Sequence, residues 1–422
     1  MPFRRQASRE RPDRRAADKL IRSRIPVDLL APGMRIIKLD RPWTEVPVLF
    51  QGFTIDRSDQ LSILRQYCEW VWVEALSSEL TPVLDQIEIQ RRRRAEPLPE
   101  QLPIQTELPR ARQVFEATSD FVRDLLNQVE AGMDVDLSMA RPLIQRCAES
   151  ITANASAMFW MNRIKHRDAY TAEHCQRVAV LAMAFARYLG MSMADMETAG
   201  LCGLLHDIGK MQVPPDVLNK PGALTRTEMD IVRRHTLHGY ELLQQQHLDP
   251  IVATVCLDHH ERLDGEGYPR GLQAWQISRF ARLIAVVDVF DAITSDRCYR
   301  AGLPTTDAMR ILYRERGRQF DAGMIEAFIR MIGIYPPGSL VELNSGEVAV
   351  VISNHPSYKL RPRVEILLGP DKQCVLPRTV DLKDDPRAPD GQLYTIAAPL
   401  PDGAYGVTLS GRIDALTQGA SA

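Results

Sequence analysis

At 422 residues the chain exceeds one ordinary domain and is expected to divide into two or three units, each able to bury a core. Its 52 lysines and arginines nearly balance 54 aspartates and glutamates, and the net charge of −2 leaves no overall bias toward nucleic acid or membrane. Seven scattered cysteines, odd in number and without a Cys-x-x-Cys pair, exclude a disulfide framework or a thiolate zinc module and fit a reducing, cytoplasmic setting.

Residues 1–24 carry Arg4, Arg5, Arg9, Arg11, Arg14 and Arg15 with little apolar content, so a disordered basic tail is expected. Neither a signal-peptide core nor the unbroken run of roughly 20 apolar residues of a membrane span occurs, which predicts a soluble chain. Residues 25–78 read as a small α+β module: a strand over Met34–Leu39, a helix over Ser58–Tyr67 and a strand over Trp70–Val73. Pro82, Pro97, Pro99, Pro103 and Pro109, with the run Arg91–Arg94, predict a linker over 79–112. From 113 to 335 the apolar spacing is helical. After Pro336-Pro337-Gly338 it changes: a hairpin over Ser339–Ile352 turns at Asn344-Ser345-Gly346, and Arg363–Leu368 is a further strand, giving a small β-rich extension over 336–415. The fold class expected is multidomain and mainly α, a helical bundle flanked by a small α+β domain and a small β extension.

Within the helical region, polar residues interrupt segments that otherwise look buried. His206-Asp207 closes the apolar run Gly203-Leu204-Leu205, and Lys210 follows on the same face. His174 shares a helical stripe with Val178, Leu181 and Phe185. Asp288 and Asp291 sit amid Leu283, Ile284, Val286, Val287, Val289 and Phe290, where an unpaired charge costs several kcal/mol. Arg233-Arg234-His235-Thr236-Leu237-His238 offers two more imidazoles, and His259-His260-Glu261 precedes the turn residues Asp264-Gly265 and Gly267-Tyr268-Pro269. Each feature alone has a plain explanation: a core histidine, a helix cap, a surface pair. Together, His174, His206, His235, His238, His259 and His260, six of the nine histidines, cluster with Asp207 and Asp288 between residues 174 and 288. Imidazole and carboxylate without thiolate favour Mn, Fe, Co or Zn, and seven or more ligands exceed what one ion with an open position takes. Two ions form the usual clamp for in-line attack on phosphorus.

His206-Asp207 together with His259-His260-Glu261-Arg262-Leu263-Asp264-Gly265-Glu266-Gly267-Tyr268-Pro269 resembles the HD-GYP subgroup of the HD phosphohydrolases, matching its HHExxDGxGYP signature at every fixed position. The resemblance covers about residues 150–335. It implies an all-helical domain that hydrolyses cyclic di-GMP to pGpG, and on to GMP in some members, with two divalent ions, Fe or Mn first and Zn, Co or Ni as alternatives. His174, His206 and Asp288 would hold one ion, His235, His259 and His260 the other, and Asp207 would bridge them, with a bridging hydroxide as the nucleophile. Lys210, Tyr268, Arg297 and Arg300 would contact substrate; Asp168, Asp264 and Asp291 would stand behind the ligands. His238 has no counterpart in the motif and is expected to be structural. Tyr170 stands where some members place a glutamate for a third ion, which points to a two-ion site. About Lys19–Val73 resembles a domain of unknown function that often precedes HD-GYP domains, expected to regulate the enzyme or mediate a homodimer. The rival functions are an adaptor docking onto diguanylate cyclase (GGDEF) domains with little turnover, and a phosphodiesterase for a hybrid cyclic dinucleotide.

Overall fold

The computed structural model describes residues 20–48, 51–76, 80, 83, 100–164, 170–246, 248–295, 302–355 and 358–419. Most of the expected basic tail, the run Arg91–Arg94 and the site candidates Asp168, Arg297 and Arg300 lie outside them. The chain separates into a unit up to Arg92 and a larger one from Arg93 onward.

In the first unit a four-stranded sheet is built from β1 (Leu20–Pro26), β2 (Arg35–Leu39), β3 (Phe53–Thr54) and β4 (Trp70–Leu76), in the order β1-β4-β2-β3, with α1 over Ser58–Tyr67. β1 pairs antiparallel with β4 along its whole length, from Leu20 opposite Leu76 to Pro26 opposite Trp70. The alternation of β4 turns Val71 and Val73 inward, where they meet Ile25, Ile36, Leu39 and Leu64. β1 starts at Leu20, so Leu20–Arg24 belong to the sheet rather than to a tail.

The second unit opens with α2 (Ile104–Glu130), which begins inside the expected linker. Prolines at 103 and 109 predict a break, yet Pro103 lies just before the helix and Pro109 forfeits only one backbone hydrogen bond. Against that loss stands a buried stripe of Leu108, Ala111, Val114, Phe115, Val122, Leu125 and Val129 at helical spacing. α3 (Ala140–Arg163) lies along it and bends at Asn154, whose backbone is extended. Next come α4 (Tyr170–Tyr188), α5 (Met193–Leu205), a 3₁₀ turn over Ile208–Gln212, α6 (Pro215–Leu218), α7 (Arg226–Arg233), α8 (His235–Gln244), α9 (Pro250–Asp258), α10 (Arg279–Thr294), α11 (Thr305–Arg314) and α12 (Ala322–Ile332). Ser192, Thr225, Ser278 and Asp321 cap α5, α7, α10 and α12 by accepting a backbone N–H of the first turn.

Two close approaches set the site. A Cβ at Gly203 would lie 2.7 Å from the Ala179 Cα, so only glycine lets α5 press onto α4 and bring His206 beside His174. One at Gly209 would lie 2.0 Å from the His235 carbonyl oxygen, so the 3₁₀ turn can rest directly on the start of α8.

The C-terminal sheet runs β8-β7-β6-β5-β9 with β5 (Leu340–Leu343), β6 (Val348–Ser353), β7 (Arg363–Leu368), β8 (Cys374–Asp381) and β9 (Ile396–Leu400). The predicted hairpin is β5–β6, and β7 matches its predicted bounds. The extension also holds a helix, α13 (Leu409–Gly419), within a stretch expected to be β-rich. Leu409 and Ile413 are buried and Asp414 accepts a hydrogen bond from Arg112 of α2 at 2.6 Å, so tertiary packing stabilises a segment whose sequence is short and polar. The Trp160 indole donates to the Val351 carbonyl at 3.1 Å, fastening the sheet to α3.

Candidate metal centre

Seven residues from five places in the helical region meet in the interior. His174 comes from α4, His206 and Asp207 from the end of α5, His235 from the start of α8, His259 and His260 from the end of α9, and Asp288 from α10. They form two groups, His174 with His206 and Asp288, and Asp207 with His235, His259 and His260; within each, the donor atoms lie within 4.8 Å of one another. All but His260 are buried. Asp207 faces both groups. Its Oδ2 is 3.5 Å from His174 Nε2 and 3.4 Å from His206 Nε2, while its Oδ1 is 3.3 Å from His235 Nε2 and 3.7 Å from His259 Nε2.

The other ring nitrogens settle the proton positions. His206 Nδ1 lies 2.8 Å from the Gly203 carbonyl, His235 Nδ1 2.7 Å from that of Val232, and His259 Nδ1 2.8 Å from that of Cys256. A carbonyl only accepts, so these nitrogens carry the hydrogen and the Nε2 lone pairs face inward. His174 Nδ1 likewise meets Asp291 at 2.8 Å, and its Nε2 lies 3.1 Å from Asp288. Bare imidazole nitrogens thus confront carboxylate oxygens. His206 Nε2 and Asp207 Oδ1 are buried with no hydrogen-bond partner, which costs about 1–3 kcal/mol per group unless a cation lies between them. Burial favours neutral His206, but the Asp207 and Asp288 carboxylates outweigh it and carry its pKa up to about 10, so without an ion they draw a proton to Nε2, the position a metal cation would take over. Desolvation among its neighbours pushes the partly buried His260 down to about 3, with His235 adding to the effect and the Asp288 carboxylate opposing it. Burial resists charge on Asp207 as well, yet Lys210 and His206 hold its carboxyl well below the usual range. The donor set and its unmatched lone pairs are those of a divalent metal centre.

Around the ligands, Asp291 is gripped by the Arg177 guanidinium at 2.8 and 3.1 Å while it accepts from His174. The Lys210 ammonium sits on Asp207 Oδ2. Tyr268 packs its ring 4.7 Å from that of His260. Asp264 is not brought to the ligands: its carboxylate takes the Arg262 guanidinium at 3.0 and 2.6 Å and the Glu266 N–H at 3.1 Å. His238 stays apart on another face of α8, beside a cavity of about 300 Å³ with Asp134, Gln212 and Glu241.

Three participants escape the sequence reading. Glu261, 4% exposed, accepts from the backbone N–H groups of Arg270 (2.7 Å) and Leu272 (2.9 Å) and so fixes the turn that carries Tyr268. Arg177, a buried cation three residues after His174, gave a signal in its apolar surroundings; Arg233 gave none. Arg233 borders a cavity of about 210 Å³ with His259, His260, Tyr268, Gln319 and Phe320.

Helical frame and buried imidazole–carboxylate cluster together define a metal-binding HD domain. A family model described as HD domain matches residues 159–324, a domain of unknown function matches 22–140, and a KOW domain associated with HD domain matches 340–388. The chain is 36% identical over 364 residues to a cyclic di-GMP phosphodiesterase of Pseudomonas aeruginosa, covering 85% of this chain and 88% of that protein. It is 41% identical over 169 residues to the cyclic di-GMP phosphodiesterase response regulator RpfG of Xanthomonas campestris, covering 40% of this chain and 45% of that one. A 3'3'-cGAMP-specific phosphodiesterase of Vibrio cholerae matches at 35% over 187 residues, 44% of this chain and 43% of that protein. The chain belongs to the HD-GYP family of HD-domain phosphodiesterases. Among the described residues no helix is long and apolar enough to cross a membrane.

Proposed function

We propose that this chain is a metal-dependent phosphodiesterase that hydrolyses cyclic di-GMP to pGpG. The observation that carries the reading is Asp207, a buried carboxylate whose two oxygens face two separate imidazole groups. His174, His206 and Asp288 would hold one divalent ion, His235, His259 and His260 a second, and Asp207 both; Fe or Mn suits these donors. When bound, such ions supply Lewis acidity, making hydroxide available from water near neutral pH and neutralising phosphodiester oxygens.

The chain's own groups do the rest. Asp291 and the three backbone carbonyls hold the imidazoles so that their lone pairs converge. Lys210, held against Asp207, places a positive charge where phosphate charge builds in the transition state. Tyr268 gives the substrate a flat wall beside His260. Arg297 and Arg300 belong to the same proposal as phosphate or guanine contacts.

The test is incubation of Mn- or Fe-loaded protein, under reducing conditions, with cyclic di-GMP and with 3'3'-cGAMP, followed by chromatography. Release of pGpG or GMP is expected, and no product from either nucleotide would sink the reading. Product from 3'3'-cGAMP alone would shift it to the hybrid substrate, in line with the Vibrio cholerae relative. Asp207→Ala and His206→Ala should each cost more than about 100-fold, because even residues behind metal ligands cost 10- to 100-fold. His238→Ala should keep most activity. An adaptor for diguanylate cyclase domains, by contrast, would retain its partner and its cellular effect in Asp207→Ala.

A further inference from the structure

A cyclic dinucleotide carries two phosphodiesters, and only one can be attacked at a time. If the substrate proposed above is right, the other phosphate also brings a negative charge to the site and needs a cation of its own. The cavity beside His259 and His260 has two arginines on its wall among the described residues, Arg233 and Arg262. Arg262 is already neutralised: Asp264 grips it at 3.0 and 2.6 Å, and Glu266 stands 3.7 Å away. Arg233 is not. The carboxylate near it is Asp230 at 3.7 Å, itself 61% exposed, and half of the Arg233 side chain faces solvent.

Its position is nonetheless defined. Arg233 is the last residue of α7, two before the ligand His235, and its carbonyl accepts from the Thr236 hydroxyl at 3.1 Å. Its guanidinium carbon lies 5.0 Å from the centroid of the Tyr268 ring, close enough for the ring face to steady it while its N–H groups stay available. The Tyr268 ring is in turn 4.7 Å from the His260 ring, so cation, aromatic wall and metal-ligand imidazole follow one another along the cavity.

We infer that Arg233 binds the second, non-reacting phosphate of the cyclic dinucleotide and thereby selects two-phosphate substrates over simple diesters. A planar guanidinium pairs with phosphate oxygens through two parallel N–H groups, which a neutral side chain cannot reproduce. The inference rests on the substrate reading above, and its test separates the two.

Steady-state kinetics of the wild type, Arg233→Gln and Arg233→Lys are compared on cyclic di-GMP and on bis(p-nitrophenyl) phosphate, a diester with one phosphate. For Arg233→Gln, KM for cyclic di-GMP should rise about 10- to 100-fold with kcat much less affected, as for a lost charge-assisted hydrogen bond. On bis(p-nitrophenyl) phosphate the loss should be at least about tenfold smaller, and Arg233→Lys should recover part of the KM. In an Asp207→Ala background, adding Arg233→Gln should weaken equilibrium binding of cyclic di-GMP by a similar factor. Equal losses on the two substrates, or no rise in KM, would overturn the role of Arg233. Wild-type turnover of bis(p-nitrophenyl) phosphate without turnover of any cyclic dinucleotide would instead overturn the substrate reading. Arg233 is exposed, so its replacement does not threaten folding.

Discussion

Asp291 and His174 are joined by a 2.8 Å contact that fixes the imidazole between two aspartates of one helix, Asp291 at Nδ1 and Asp288 at Nε2. The two carboxylates lie three residues apart on α10 and do different work. Asp288 belongs to the ligand group, whereas Asp291 is held by Arg177 and the Ser295 hydroxyl and reaches that group through His174. Burial opposes its charge, yet the Arg177 guanidinium and His174 hold its carboxyl well below the usual carboxylate range.

Asp291→Asn keeps the shape and removes that charge. Metal affinity, followed by chelator competition with elemental analysis, should fall about 10- to 100-fold, the usual cost of losing the group behind a ligand histidine. Metal retention equal to the wild type would refute the assignment.

Glu261 makes a second case for a residue that works at one remove. Its carboxylate holds the N–H groups of Arg270 and Leu272, and Arg270 in turn reaches Asp258 with its Nε at 3.1 Å. Glu261→Gln replaces one acceptor oxygen with a donor and leaves a backbone N–H unmatched, at about 1–3 kcal/mol. Denaturant unfolding should register that loss, and KM should rise more than kcat falls because the Tyr268 wall loosens. Unchanged stability together with unchanged KM would contradict this role.

Among the described residues the cysteines divide sharply, Cys298 lying outside them. Cys68, Cys147, Cys175, Cys202 and Cys256 are buried and Cys374, on the edge strand β8, is exposed. Burial pushes the Cys68 thiol up to about 12 and that of Cys147 up to about 11, and raises the three others as well. Thiolate, the reactive form, grows only as pH approaches the raised pKa, so at pH 8 these five should react with a disulfide reagent only on unfolding. In the native protein Cys374→Ser should remove one fast-reacting thiol; an unaltered fast count would show that Cys374 is shielded.

How far the sequence foretold this depends on whether a signal is local. Ser58–Tyr67 and Arg363–Leu368 form over the stretches their residues predict, the helix burying one side at Leu64 and the strand, a short apolar run, buried on both faces from Val364 to Leu368. His174, His206, Asp207 and Asp288 were legible as polar residues in apolar company, whereas His235, His259 and His260 stand beside other polar residues and were singled out by the resemblance to the HD-GYP motif. α2 was hidden by its prolines, and α13 by its lack of an apolar stripe wide enough to stand alone. Glu261 and Arg233 owe their places to a turn and a cavity closed by residues from several elements, and no period in the chain records such closure. Asp264 shows the converse, since a motif residue beside the ligands in sequence serves Arg262 instead.

His206, His235 and His259 each lean on a carbonyl three residues earlier in their own segment. The orientation of each ring is therefore supported by its own local backbone. A socket supported in this way has its rings aimed by the fold itself. Three of the rings would then present the same lone pairs to any divalent ion, and a choice among metals would have to be made elsewhere in the site.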